Sequence, residues 1–230
     1  MMSRLRSIAS VSLVGAVIVA SCGDQPYSPL ATDGATPSYS LAAQQSMSIV
    51  NWHAQQAGFG RNGPVDGASG TIVRNANGVS FRLSTTQLTP GNAYTLWLVV
   101  INNPEACAVS PCTAADIFNP ATHSQVRFGA GSVAGGAGKG TFAGHVSEGP
   151  LTGWLPDRTF ANSLGVEVHL VVNDHGPMLP AHMPGMIHTY RGGCADSSPF
   201  PPIFPATALA DGESGPNICR LYQAATFQAP

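Results

Sequence analysis

Residues 95–101, Thr-Leu-Trp-Leu-Val-Val-Ile, are apolar at six successive positions after the threonine. Successive side chains of a strand point to opposite faces, so a strand apolar at odd and even positions alike has protein on both sides. Seven residues is a strand's length and too short to show a helical period. A chain built around such a strand must cover both faces of one sheet, which restricts it to layered β architectures.

The remaining strands follow by alternation. Val79, Phe81 and Leu83 interleave with Ser80, Arg82 and Ser84, after a short strand Thr71–Arg74 and the turn Asn75-Ala76-Asn77-Gly78. Val166, Val168, Leu170 and Val172 face one way, and Glu167, His169, Val171 and Asn173 the other. Residues 124–133 and 138–146 read as a hairpin turning at Ala134-Gly135-Gly136-Ala137. Cys219–Gln228 reads as a last strand, with Leu221 or Tyr222 and Phe227 closing the core. Trp52 and Phe59 are expected to plug one end of the core, with His53 hydrogen-bonded or solvated between them. Residues 102–122 and 148–163 read as loops, and the proline-rich 197–205 as extended chain on the surface. With 26 glycines and 19 prolines, no long helix fits.

Leu88-Thr89-Pro90-Gly91-Asn92-Ala93-Tyr94 resembles the corner before strand F in fibronectin type III and related sandwiches. The resemblance implies that the Tyr94 hydroxyl bonds back to upstream backbone. The chain runs on far past the one strand a fibronectin domain would still need, so the expectation is an all-β, antiparallel, immunoglobulin-like β-sandwich with long disulfide-stapled loops. The phrase YTLWLVVINNPEAC (94–107) also resembles uncharacterised exported bacterial proteins, to which no activity attaches.

The N-terminus reads as a targeting segment. Arg4 and Arg6 precede an apolar run, Ile8–Ala20, too short to span a bilayer comfortably. Val19-Ala20-Ser21-Cys22 resembles the bacterial lipobox, which implies cleavage before Cys22 and acylation of its sulfur. Gly23 follows where an aspartate would retain the protein at the inner membrane. The expected organisation is a lipoprotein signal peptide over 1–21, a flexible tether over 22–46 and one β-sandwich domain over 47–230. The place is the outer membrane or cell surface, on its periplasmic or extracellular side, held to the membrane through Cys22. Loss of Arg4 and Arg6 moves the formal net charge from −2 to −4. Lys139 is the one lysine and no basic patch exists, so nucleic acid is excluded as a partner.

Four cysteines remain besides Cys22. An even number in an exported chain points to disulfides, with three connectivities possible. Cys107–Cys112 and Cys194–Cys219 are favoured, because each pair is nearest in sequence and encloses a segment that needs a staple. A thiolate metal site fits the spacing poorly.

Residues 164–194 concentrate the remaining chemistry. His169, His175, His182 and His188 lie there with Met178, Met183 and Met186. Imidazole suits zinc and copper, and thioether sulfur suits copper, so these seven are the candidate metal ligands. The bland alternative, packed and hydrogen-bonded histidines, is the default. No nucleophile elbow or zinc-protease motif occurs, so no catalytic residue is assigned and an enzyme is the least favoured class. The preferred role is binding or structural at the cell envelope, with a protein or glycan partner; a copper- or zinc-binding lipoprotein is the alternative. A metal site requires three or more of the seven to converge. An enzyme requires Glu167 or Asp174 in a pocket within reach of a histidine. A recognition module requires an exposed apolar patch elsewhere.

Overall fold

The computed structural model describes residues 43–230. The expected signal peptide, Cys22 and all but the end of the expected tether lie outside the described residues. Ten strands follow in order: β1 (Gln44–Trp52), β2 (Pro64–Asn75), β3 (Gly78–Thr85), β4 (Asn92–Ile101), β5 (Gln125–Val133), β6 (Gly140–Ser147), β7 (Gly149–Leu151), β8 (Arg158–Phe160), β9 (Glu167–Pro177) and β10 (Arg220–Phe227). Eight form one antiparallel sheet in the order β5-β4-β9-β10-β1-β2-β3-β6, and β7 and β8 form a small separate hairpin. The α-helices among the described residues are single turns of four residues.

The sheet curls until it is nearly barrel-shaped. One face of β1, β2, β3, β4, β6, β9 and β10 contributes to a single core containing Ile72, Phe81, Leu96, Phe142, Leu170 and Phe227. The end strands β5 and β6 come side by side at two glycines. A Cβ on Gly144 would sit 2.6 Å from the Phe81 ring and 3.4 Å from the Gly129 carbonyl oxygen. Gly129 is also the extra residue of a β-bulge, since Leu96 pairs with Ala130 and Trp97 with Phe128. Only a residue without a side chain lets both edges reach Phe81 there.

β4 is the doubly covered strand. Leu96, Leu98 and Val100 enter the inner core. Trp97, Val99 and Ile101 enter a second cluster on the outer face, with Ile117, Trp154, Tyr190 and Leu221. A cover of loops buries that outer face over β5, β4, β9 and β10. The corresponding face of β3 is polar, with Arg82 exposed. The corner before β4 has its back-bond: Thr89 N donates to the Tyr94 hydroxyl at 2.9 Å.

Several expectations change. β5 and β6 are strands, but they do not pair with each other; β5 pairs with β4 and β6 with β3. The connection between them is bonded to the 88–92 corner instead. Ala134 N donates to Asn92 O, Gly91 N to Ala134 O, and Leu88 N to Gly138 O. Those bonds tie the turn's backbone to the corner, and no hydrogen-bonded ladder runs between β5 and β6. Phe59 is 58 % exposed and plugs nothing, whereas Trp52 packs on the core and meets Tyr222 edge-on at 5.1 Å. β1 begins at Gln44, within the stretch expected as tether, because residues 44–49 pair with 69–74. The second strand starts at Pro64, not Thr71. The 148–163 segment forms the β7–β8 hairpin, with Leu151 and Phe160 in the inner core. The 197–205 segment is part of the cover: Phe200 and Phe204 pack on the outer cluster.

Candidate functional site

The outer face of β9 is buried, because the cover lies over it. Glu167 is 1 % exposed, His169 8 %, and Asn173 and His175 are as deeply enclosed. Beneath the cover is an apolar cavity of about 260 Å³. Its floor is Trp97 and Val99 from β4, His169 and Val171 from β9, and Leu221, Ala224 and Thr226 from β10. Ile117 and Phe118 of the cysteine loop, Trp154, Tyr190, Pro201 and Phe204 form the walls, and His53 closes the β1 end. The aromatic wall is continuous. Ring centroids lie 4.6 Å apart for Trp97 and Trp154, 4.7 Å for Trp154 and Tyr190, and 5.4 Å for Tyr190 and Phe204. Each such contact stabilises by about 0.5–1.5 kcal/mol beyond its buried area, which makes the wall firm.

His53, His169, Tyr190 and Thr226 bring polar groups to this apolar space, and Glu167 stands behind His169. Glu167 Oε1 accepts the Cys112 backbone N–H at 2.8 Å and lies 2.6 Å from His169 Nε2. A carboxylate has no proton to give, so Nε2 carries the proton and Nδ1 is left as an acceptor with no protein partner. His53 is held in the reverse sense. Its Nδ1 accepts the Gln55 N–H at 3.2 Å, which leaves Nε2 as the N–H, and burial lowers its pKa so that the ring stays neutral. Tyr190 is 1 % exposed and its hydroxyl has no hydrogen bond in the protein; burial alone raises its pKa. The cavity therefore offers an acceptor, a donor and a hydroxyl of either sense.

The Cys107–Cys112 disulfide fastens the cysteine loop at the point where Cys112 N reaches Glu167. The Cys194–Cys219 disulfide ties the 178–219 part of the cover to the start of β10. Both pairs are those expected from sequence.

The seven candidate metal ligands have different surroundings. His169 pairs with Glu167. His175, fully buried, donates Nδ1–H to Gly192 O at 2.9 Å and accepts at Nε2 from Thr95 Oγ1 at 2.8 Å. Thr95 Oγ1 in turn accepts Trp97 Nε1–H at 3.0 Å. Burial lowers the His175 pKa to about 4. Met186 is buried, and its sulfur accepts Leu179 N–H at 3.4 Å. His188 stacks on Phe128 at 5.4 Å and hydrogen-bonds Pro184 O through Nδ1. Met178 and Met183 are exposed, and His182 is half-buried. Among the described residues, one group of three His, Cys, Asp or Glu ligand atoms falls within 4.8 Å: His175, Cys194 and Cys219, with the two sulfurs already joined to each other.

Glu167 has its histidine, bonded to His169, which lines the cavity, but Glu167 does not line it, so the acid–base requirement is met only in part. Asp174 does not meet it. It points to the opposite face, where Asn92 Nδ2, Tyr94 Oη and Gly176 N donate to it and burial raises its pKa. Sequence reasoning missed Tyr190, Trp154 and Phe204, which lie in loops with no period to mark them. An exposed apolar pair does occur elsewhere: Met47 and Ile49, two residues apart on one face of β1, are 72 % and 62 % exposed.

Comparison with protein-family models found no match, and searches of curated proteins and of solved structures returned no similar chain.

Proposed function

We propose that this chain is a lipid-anchored envelope protein that binds a small, mainly apolar molecule in the cavity beneath its cover. The observation that carries the reading is Tyr190: a tyrosine at 1 % exposure whose hydroxyl has no partner, lining an apolar cavity. The hydroxyl is open to the space it lines, so a bound molecule with a polar group can give it a partner, a hydrogen bond that contributes about 0.5–1.5 kcal/mol. The size fits one substituted ring, since a cavity of roughly 150 Å³ holds benzene. The sandwich reading belongs with this proposal: β5-β4-β9-β10 forms the layer that carries the cover, and β1-β2-β3-β6 the solvent-facing layer. The lipobox-like Val-Ala-Ser-Cys22 supports the anchor, with acyl chains on Cys22 holding the domain at the outer membrane or cell surface.

The test is a panel of single-ring compounds titrated against the purified chain, followed by tryptophan fluorescence and calorimetry. p-Cresol should bind with about micromolar affinity, which corresponds to roughly 8 kcal/mol, and toluene, which offers Tyr190 no partner, more weakly. Ala224→Phe, which places a ring in the cavity, should abolish it. Lack of binding by the whole panel would end the proposal.

Copper or zinc remains the second reading, favoured by the closeness of His175 to the Cys194 and Cys219 sulfurs. It requires reduction of that disulfide and release of His175 Nδ1 from Gly192 O. Metal content after purification with and without a dithiol reductant separates the two readings: uptake only in the reduced protein supports the metal site.

A further inference from the structure

Resting on the cavity reading above, we propose that the ligand is a small aromatic carbonyl compound, a neutral ketone, aldehyde or ester. Its ring lies in the aromatic cavity and its carbonyl oxygen accepts the His53 Nε2–H. His53 closes the β1 end of the space. Its Nδ1 accepts the Gln55 backbone N–H at 3.2 Å, so the one proton of the neutral ring stands on Nε2, at the tip of the imidazole and away from that bond. Burial keeps the ring neutral by lowering its pKa. Among the described residues Nε2 has no hydrogen-bond partner, while its ring lines an apolar space.

The donor is fixed before any ligand arrives. His53 N donates to Tyr222 O on β10 at 3.0 Å. Gln55 Nε2 donates to Pro199 O at 2.7 Å, and Gln55 Oε1 accepts the Leu221 N–H at 2.8 Å. The turn that carries His53 is thereby tied to the cover on one side and to β10 on the other. A group held in its binding position loses little freedom on binding.

Sense and charge together select the class. The Nε2–H only donates, so the ligand atom that meets it has to accept. A ligand hydroxyl could accept there, but its own proton would then need a second partner in apolar surroundings. A carbonyl oxygen carries no proton and has no such need. An ionised acid would gain no opposite charge from the neutral imidazole and would lose its hydration in the cavity. A protonated amine has no lone pair to offer. The Tyr190 and Thr226 hydroxyls turn either way and restrict the class no further.

The probes are acetophenone and α-methylstyrene, which share one shape and differ in having an oxygen or a methylene on the carbon beside the ring. The full chain carrying Cys22→Ser is used, so that no acyl chain or detergent competes. Both probes should bind, read by tryptophan fluorescence. In an isotope-edited infrared difference spectrum, the carbonyl stretch of bound acetophenone should lie below its position in an alkane solvent, where nothing donates to it. His53→Asn keeps a side chain able to cap the Gln55 N–H but too short to reach the ligand. It should weaken acetophenone by about three- to tenfold, the weight of one hydrogen bond, and return the stretch to its alkane position. α-Methylstyrene should stay within about twofold in the same variant. The infrared measurement on the chain with His53 intact needs no cavity variant to fold. An unshifted stretch, or a shift that persists in His53→Asn, would overturn the proposal and leave the cavity reading standing. Failure of both probes to bind would overturn both.

Discussion

His175 has both ring nitrogens bonded inside the protein and no contact with solvent. Protonating it would place a charge in an apolar interior and break the bond from Thr95, which is why its pKa falls to about 4. The sign of the linkage follows. Unfolded, the ring takes a proton near pH 6.5; folded, it refuses one until about pH 4. Stability is therefore whole above pH 6.5 and declines as pH falls toward 4, by roughly 3 kcal/mol from this residue. Urea unfolding at pH 7, 5.5 and 4 should show that decline in wild type and a shallower one in His175→Gln. Tyr94 allows a second prediction. Its hydroxyl accepts Thr89 N–H and donates to Asp174, so Tyr94→Phe should cost about 1–2 kcal/mol, read as a lower urea midpoint with unchanged slope. The Tyr94 back-bond was legible in the corner motif, whereas no strand face was assigned to His175, which lies past the alternating residues 166–173. Sequence left the partners of His175 open, because Gly192 is seventeen residues away and bonds through its backbone, which leaves no mark in composition.

The cover is the element on which the proposed binding depends, and its two disulfides act differently. Cys194–Cys219 closes a long segment that carries Phe200 and Phe204 over the sheet. Loss of a bridge across a separation of 25 residues costs roughly 3–4 kcal/mol in a loop-entropy account. The double variant Cys194→Ser/Cys219→Ser should unfold at lower urea and bind single-ring compounds poorly. Cys107–Cys112 closes a loop of only a few residues, and its weight lies in fixing the Cys112 N–H on Glu167. Cys107→Ser/Cys112→Ser should cost about 2 kcal/mol or less and shift ligand affinity more than stability. The disulfides, the β9 face and the central strand were readable, since each depends on local spacing or alternation. The pairing of β5 and β6 was not. A glycine-rich turn normally signals a hairpin, but here residues 134–138 spend their hydrogen bonds on the 88–92 corner. Such a choice between local and distant partners is decided by tertiary structure.

For the whole molecule, the curled sheet encloses one face as the inner core and has its other face covered over β5-β4-β9-β10, and the proposed anchor is tested separately from it. Labelling growing cells with an alkyne fatty acid should tag the chain, and Cys22→Ala should abolish the label. A chain equally labelled without Cys22 would contradict the anchor. The anchor and the binding site stand on separate evidence, the first on residues 19–22 and the second on the space beneath the cover. The binding claim is central, and crystals of the protein grown with 4-bromophenol test it most directly. The account predicts an anomalous bromine peak inside the cavity walled by Trp97, Trp154 and Phe204, with the ligand oxygen within hydrogen-bond distance of His169 Nδ1. Bromine found only on the surface, with the cavity unfilled at saturating ligand, would contradict it.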